Sequence, residues 1–401
     1  MKVAVIGGGP AGLTAARTAA ENGLEVTLFE RYRIGERINC GEGFFDLLGI
    51  WGKPEAGVLF QVKEILFKIN NFYRIDSSRL NVWMVDRFNW QHHLSEMARQ
   101  AGVNILEETP VSVKDMALVR RDFDWVIDAS GISAITLKSR GNTGENRSRC
   151  AVTLQYKLEG DFSCFKDSLK AVLEPHYQGY YWIFPKVTAV KGIANVGIGF
   201  FNNSTGKINL KKELFRILYQ ENLQGYTILE CRGGRIPLQQ ASPFLRNNTL
   251  LVGDAAGLAS PLHGGGLDMA LLSGKLAALS LLRGAPQAYE QLLRQKIKHK
   301  IAYEEKIYEL WERYGIDFME KAHQGVSAEP FLPTKGVSGT IIDIETGGLA
   351  VSECSKQRLV YLKRKDIPKR LCTDPKLQKQ LVDDIEGNEN EMIEMESDDP
   401  R

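Results

Sequence analysis

The chain begins with a glycine-rich turn between a short apolar run and an alanine-rich segment. Residues 7–12 read Gly-Gly-Gly-Pro-Ala-Gly, which fits the pattern G-x-G-x-x-G. In a strand–turn–helix unit the first glycine allows the tight turn and the second lets the backbone approach a pyrophosphate. The third permits close packing of the helix on the strand. The sequence therefore predicts an α/β unit that binds a dinucleotide at the start of the chain.

An acidic residue follows at the spacing that this kind of unit requires. Glu30 ends the second apolar run, eighteen residues after Gly12. A carboxylate at that point can bond the adenosine ribose hydroxyls, while free N–H groups at the helix start hold the phosphates. The residues predicted to contact the cofactor in this unit are Gly7, Gly9, Ala11, Gly12, Glu30 and Arg31.

A second glycine-rich segment far downstream separates FAD from NAD. Val252-Gly253-Asp254 follows a short apolar run, and a triple glycine at 264–266 precedes a long helical pattern. A carboxylate at the end of a late strand can accept hydrogen bonds from a ribityl chain, which NAD lacks. The helix start can stabilise negative charge on a reduced flavin. We therefore expect FAD, contacted by Gly253, Asp254, Gly265, Gly266 and Leu267; a helix cap is the alternative role for Asp254.

Composition excludes several classes of protein. The 401 residues are 43% hydrophobic with a net charge of +2, so the chain as a whole has no electrostatic signature of a nucleic-acid partner. The six cysteines are scattered without a C-x-x-C pair, so we expect neither a disulfide framework nor a metal site. No uninterrupted run of eighteen apolar residues and no signal peptide is visible. We expect a cytoplasmic protein, peripheral at a membrane if it contacts one.

The order of patterns predicts an interrupted nucleotide domain. A Rossmann-like FAD-binding domain would take residues 1–150 and return at 246–315 with a long helix. A β-rich substrate domain would occupy 151–245, where alternating and aromatic patterns dominate. Residues 316–382 form the remainder of a helical C-terminal portion that matches no pattern. The acidic tail at 383–401 is expected to be disordered.

Three further segments occur in a recognisable order with the two glycine-rich ones. They are Cys-Gly-Glu-Gly at 40–43, Gly-Tyr-Tyr-Trp-Ile-Phe-Pro-Lys at 179–186 and Ala-Asn-Val-Gly-Ile-Gly at 194–199. Together the segments resemble the geranylgeranyl reductase family, in particular the archaeal digeranylgeranylglycerophospholipid reductases. That family lies within the flavoprotein group that includes p-hydroxybenzoate hydroxylase. The resemblance covers about residues 1 to 315.

The resemblance implies saturation of isolated double bonds in isoprenoid chains by reduced FAD, with a prenylated lipid as substrate. It adds contacts to the flavin from Cys40, Gly41, Gly43 and Arg87, and a contact to the adenine side from Val111. It also implies a substrate channel walled by Tyr180, Trp182, Phe184 and Pro185. Tyr180, Trp182 and Phe184 share one face of a strand, although such a stripe is also typical of a core.

The chain departs from related flavoproteins at residues 129–131. Ala-Ser-Gly stands where Ala-Asp-Gly is frequent, so contacts of that segment with a nicotinamide or pyrophosphate are not carried over. The chain has no second G-x-G-x-x-G. The electron donor is therefore left open between NAD(P)H and a ferredoxin-like carrier.

The expected chemistry needs an acid beside the flavin. Hydride addition to an isolated alkene would leave an unstabilised carbanion, so a proton must be delivered to the other carbon. By family placement the candidates are Cys40, which would donate or relay the proton, and Glu42, which would orient it. The alternative roles are a small buried hydrophobe for Cys40 and a loop-backbone contact for Glu42.

Other functions of the same flavoprotein group remain open. An aromatic monooxygenase or a flavin-dependent halogenase would use the same cofactor, but the halogenase tryptophan-isoleucine-proline motif is incomplete because Tyr180 replaces its first tryptophan. Electron transfer with a membrane quinone normally brings clustered cysteines, which the chain lacks. A flavin-binding scaffold with a decayed active site is the alternative outside enzymes.

Overall fold

A computed structural model describes residues 1–138, 149–201 and 208–328. The predicted acidic tail and all of the region after residue 328 lie outside the described residues. The helices are α1 (Pro10–Glu21), α2 (Arg87–Gln100), α3 (Met116–Asp122), α4 (Ile135–Lys138), α5 (Leu210–Gln220), α6 (Leu267–Leu282) and α7 (Ala288–Ala328). Within α7 the helical geometry breaks at Gly315, whose φ is 73°.

A six-stranded sheet carries the nucleotide fingerprint. Its strands, in spatial order, are β15 (Leu245–Arg246), β16 (Thr249–Leu251), β9 (Trp125–Asp128), β1 (Lys2–Ile6), β2 (Glu25–Phe29) and β8 (Asn104–Leu106). All neighbours are parallel except β15 and β16. The late strand β16 joins a sheet that the first residues of the chain begin. The predicted α/β fold with an interrupted parallel sheet is therefore confirmed.

A seven-stranded sheet forms the second layer. Its order is β14 (Thr227–Pro237), β10 (Cys150–Gly160), β13 (Gly192–Phe200), β12 (Gly179–Val187), β11 (Ser168–Leu173), β5 (Glu64–Lys68) and β6 (Phe72–Asp76). Its pairs are antiparallel apart from β11 and β5. Two of its strands thus come from residues 64–76. A three-stranded sheet contains β3 (Gly43–Phe45), β7 (Val82–Val85) and β4 (Val58–Gln61).

Helices α1 and α6 pack closely because a glycine faces a backbone carbonyl. A Cβ on Gly274 would lie 2.2 Å from the Ala11 oxygen, so a larger residue cannot occupy this crossing. The α1 helix starts at Pro10, which suits the first helical position, and ends before Gly23 at φ +84°. The crossing leaves both helix starts beside the same end of the parallel sheet.

The far part of α7 is tied to the seven-stranded sheet. Glu320 accepts hydrogen bonds from Asn70 N (2.9 Å), from Asn71 Nδ2 (2.6 Å) and from the Tyr73 hydroxyl. These contacts outweigh the effect of burial and lower the pKa of the Glu320 carboxyl. Helix α7 is therefore held across the face of the sheet.

In the parts of the chain that the structure describes, no helix combines the length and the apolar character of a membrane span.

Candidate active site

A single long cavity joins the sequence segments that were predicted separately. Its volume is about 690 Å³, within the range of cofactor and ligand sites in proteins. The predicted cofactor residues that line it are Gly7, Gly9, Ala11, Glu30, Arg31, Cys40, Gly41, Gly43, Arg87, Val111, Gly253, Asp254, Gly265, Gly266 and Leu267. Segments as distant as residues 7 and 267 thus face one space.

Two predicted residues lie outside the cavity wall. A Cβ on Gly12 would lie 1.9 Å from the Gly7 oxygen, so this glycine serves the turn and its packing rather than the cavity surface. Pro185 is buried and alternates with Phe184 along β12, so it shares the face of Tyr181 and Ile183. Tyr180, Trp182 and Phe184 on the other face line the cavity.

The turn before α1 has the form needed for a phosphate group. Gly9 precedes the helix with extended backbone geometry and no side-chain cap, and a Cβ on it would meet nothing within 4 Å. The start of α6 likewise has no side-chain cap at Gly266. Uncapped N–H groups at helix starts favour anions. The turn before α1 therefore leaves open space beside its N–H groups, which an anion can occupy.

Glu30 is positioned by backbone N–H groups. It accepts hydrogen bonds from Gly8 N (2.5 Å) and from Tyr32 N (2.9 Å). Each carboxylate oxygen has more than one lone pair, so both can still accept from a ribose hydroxyl. Glu30 thus closes the glycine turn and remains available at the cavity.

The part of the cavity beside Trp182 contains buried polar atoms that need a hydrogen-bonding partner. Trp182 Nε1, Gln155 Oε1 and Arg87 Nε have no hydrogen-bonding partner among the described residues. All three side chains line the cavity. Because an unsatisfied buried polar group is costly, these atoms fit a ligand that carries both donors and acceptors. A flavin ring has this character, so the residues present suit FAD.

Glu42 holds the Cys-Gly-Glu-Gly loop in place. It is 6% exposed and has φ +69°, and its carboxylate accepts hydrogen bonds from Lys186 Nζ (2.9 Å), Asn195 Nδ2 (2.8 Å) and Arg87 N (3.0 Å). The Cys40 sulfur accepts a hydrogen bond from the Glu42 backbone N–H at 3.3 Å. The carboxylate thus contacts β12, β13 and α2, while only the backbone of Glu42 contacts the thiol.

Asp86 completes the charged group around Lys186. The Lys186 ammonium lies 3.4 Å from Asp86 Oδ2. Burial opposes the ionisation of Asp86, but the Asn89 N–H and the Lys186 charge outweigh it and lower the pKa of the carboxyl. In the sequence, Lys186 follows Phe184 at the same spacing of two residues that relates Tyr180, Trp182 and Phe184, and the pairing of β12 with β13 shifts register there. This period of two is a signal that could have identified Lys186 from the sequence.

An aromatic wall extends from the loop into the substrate side of the cavity. Gly41 packs on it so tightly that a Cβ would lie 3.0 Å from a ring carbon of Phe184. The rings of Trp182 and Phe184 are 6.3 Å apart, and those of Phe184 and Phe45 are 6.4 Å apart. Apolar residues that sequence reasoning missed complete the wall: Phe45, Phe67, Ala171, Leu173, Trp311 and Met319.

His263 is a second residue that sequence reasoning missed. It precedes the triple glycine and lines the cavity, with Phe45 6.4 Å from its ring. Its carbonyl oxygen accepts a hydrogen bond from the Tyr180 hydroxyl (2.7 Å), and its Nδ1 accepts one from Gly265 N (3.2 Å). A lone histidine before a glycine run has no distinctive pattern, so the fold was needed to reveal it.

Comparison with known proteins shows what this chain is similar to. Residues 1–159 match a family model described as pyridine nucleotide-disulphide oxidoreductase. The digeranylgeranylglycerophospholipid reductase of Thermoplasma volcanium is 27% identical over 74% of this chain and 84% of its own length. That of Methanosarcina mazei is 29% identical over 69% of this chain and 73% of its own. The chain is thus similar to the digeranylgeranylglycerophospholipid reductases over about three quarters of its length.

Solved structures agree on the fold. A geranylgeranyl bacteriochlorophyll reductase-like protein from Thermoplasma acidophilum superposes with a TM-score of 0.72 and 24% identity, over 87% of this chain and 97% of that one. A flavin-dependent brominase superposes less well, with a TM-score of 0.62 and 15% identity. The reductase-named relatives and the matching family model support an FAD-dependent oxidoreductase, as the two glycine-rich segments predict.

Proposed function

We propose that this chain uses FAD to saturate carbon–carbon double bonds in isoprenoid chains attached to lipids. The relatives named above support the reaction, and one structural observation carries it to this chain. The cavity that suits FAD continues without interruption into a wall of aromatic and apolar side chains. Burial of a hydrocarbon chain there would contribute about 0.8 kcal/mol for each CH₂ group.

The residues of this cavity would divide the work of the reaction. When bound and reduced by the electron donor, FAD would supply the hydride. Tyr180, Trp182 and Phe184 would align the alkene and exclude water from the site. Exclusion of water prevents side reactions with solvent. Both helix starts would hold the cofactor's phosphates and ring. Because the lipid portion of the substrate belongs to a bilayer, we propose that the protein acts at a membrane surface.

Cys40 is the proposed proton donor at the loop end of the cavity. Its sulfur is held by the Glu42 backbone N–H, and Glu42 acts through the loop that it anchors, so we propose a positioning role for Glu42. Replacing Cys40 by alanine should lower the rate of alkene saturation about 100-fold or more, the usual contribution of a general acid. The flavin absorbance should stay unchanged. Full turnover in that variant would exclude Cys40 as the donor.

The electron donor is proposed to be an external carrier, NAD(P)H or a ferredoxin-like protein. Its identity can be read from which of the two bleaches the flavin absorbance in the absence of oxygen. A protein that only NAD(P)H reduces would exclude the ferredoxin-like carrier, and the reverse result would exclude the nicotinamide.

The function is tested by reoxidation of the reduced flavin. Protein reduced chemically under argon should regain its visible absorbance when vesicles that contain polyprenyl phospholipids are added, and the product should gain two hydrogens for each flavin reoxidised. Saturated phospholipid vesicles are the control. A monooxygenase or halogenase would instead need oxygen together with a small aromatic substrate. Reoxidation in that arm alone would contradict the proposal.

A further inference from the structure

A buried charged cluster lies behind His263, at the opposite side of its ring from the triple glycine. Its members, named here the α7 cluster, are His263, Asp268, Lys300 and Glu304. Lys300 Nζ lies 2.6 Å from Glu304 Oε1, and His263 Nε2 lies 3.8 Å from the same oxygen. The side chains of Lys300 and Glu304 are 4% and 0% exposed. The cavity is thus connected through one imidazole to ionisable groups inside the protein.

The hydrogen bond from Gly265 assigns the proton on the imidazole. Because Gly265 N–H donates to Nδ1, the neutral ring carries its proton on Nε2, facing Glu304. His263 Nε2, Glu304 Oε2 and Asp268 Oδ2 have no hydrogen-bonding partner among the described residues. Buried polar atoms of this kind are usually served by ordered water, which also conducts protons.

The charges of the cluster favour a stored proton. Two carboxylates face one ammonium, so a proton on Asp268 or on His263 restores neutrality in a site with little solvent. Burial raises the pKa of Asp268, whereas the charge of Lys300 overcomes burial and lowers that of Glu304. Burial raises the pKa of the carboxyl of Glu305, the next residue of α7, and the charge of Arg149 opposes this rise. Of the two carboxyl groups in the cluster, Asp268 is therefore the one that keeps its proton to higher pH.

The proposed function creates a need for such a store. Each double bond that is saturated takes one hydride and one proton, and a hydrocarbon chain that fills the cavity blocks the path from bulk water. We propose that the α7 cluster is a proton reservoir for the cavity, with Asp268 as the group that holds the proton and His263 as the residue between the cluster and the cavity. One proton leaves the cluster for each alkene saturated, and one returns from solvent. Cys40 acts at the loop end of the same cavity, and the cluster renews what each turnover consumes.

The kinetic test compares the first turnover with continuous turnover. In His263→Gln and Glu304→Gln, the steady-state rate of chain saturation with chemically reduced flavin should fall about 100-fold. The first saturation after mixing should stay within about threefold of the wild-type rate, because a reservoir acts after its first proton is spent. Glu309→Gln, on the same helix with a half-exposed carboxylate, is the matched control and should retain the wild-type rate. Wild-type steady-state rates in both cluster variants would overturn the proposal.

An independent readout does not depend on activity. Infrared spectra of the FAD-loaded protein at rest should show a protonated carboxyl band that persists above the ordinary pKa of aspartate and is lost in Asp268→Asn. An identical band in both proteins would contradict the stored proton. If wild-type protein saturates no isoprenoid, the proposed function fails, and the infrared result still decides whether the cluster holds a proton.

Discussion

Replacing Gly9 by alanine is expected to weaken FAD binding about 100-fold while the fold stays intact. The backbone of Gly9 has φ −77° and ψ 178°, which alanine adopts without strain, and the added Cβ would meet no protein atom within 4 Å. The pyrophosphate of FAD is proposed to occupy that open space. The added methyl group would therefore collide with the ligand and leave the protein undisturbed. We expect the dissociation constant of FAD to rise about 100-fold, which corresponds to 2.7 kcal/mol.

The measurement is a visible-absorbance titration of flavin, with thermal unfolding of the cofactor-free protein as the fold readout. Gly225→Ala is the matched control, since a Cβ there also meets nothing within 4 Å and the position lies outside the cavity wall. It should bind FAD as the wild type does. Unchanged flavin affinity in Gly9→Ala would show that the pyrophosphate lies elsewhere.

The largest expected effect on stability follows from Lys186→Met. This substitution removes the ammonium that faces Glu42, whose side chain is only 7% exposed. Removal of one partner leaves an uncompensated buried charge, which costs about 3–5 kcal/mol. The double variant Glu42→Gln with Lys186→Met should be less destabilised than the sum of the single variants, because the stranded carboxylate is gone. Denaturant unfolding of the four proteins measures the coupling.

The destabilisation caused by Lys186→Met should depend on pH and on the burial of the ion pair that it breaks. A lowered folded-state pKa for Asp86 contributes stability above its unfolded pKa, and that contribution is lost as the pH falls through the folded value. The cost of Lys186→Met should therefore be largest near neutral pH and shrink in acid. Lys63→Met is the control, since Lys63 and Asp167 form a pair at 2.6 Å that is largely exposed. Its cost should stay below about 1 kcal/mol. Equal costs for both substitutions would refute the buried-pair account.

The parallel sheet was predictable from the sequence because its signals are local. The glycine turn at residues 7–12, the alanine-rich helix and the late Gly-Asp segment each follow from strand, turn and helix chemistry within a few residues. The seven-stranded sheet was harder to predict. Strand β5 pairs with β11, about a hundred residues later, and β6 extends the sheet by pairing with β5; periodicity along the chain carries no information about the partner of β5.

The residues of the candidate site also differ in whether local sequence signals predict them. Residues beside the glycine turns could be placed from spacing, whereas His263, Lys300 and Glu304 meet only because α7 crosses back over the cavity. The sequence predicts that Glu42 orients Cys40, and in the structure the Glu42 carboxylate accepts hydrogen bonds from Lys186 and Asn195. A single chain sequence does not reveal which distant cation will neutralise a buried carboxylate.

The starts of α1 and α6 are proposed to hold one FAD molecule together along the cavity. This arrangement can be checked by titrating FAD into purified cofactor-depleted protein and following visible absorbance and fluorescence. We expect saturation at one flavin for each chain, with a shifted absorbance band that marks a ring removed from water. Protein that remains colourless after incubation with excess FAD and gel filtration would contradict it.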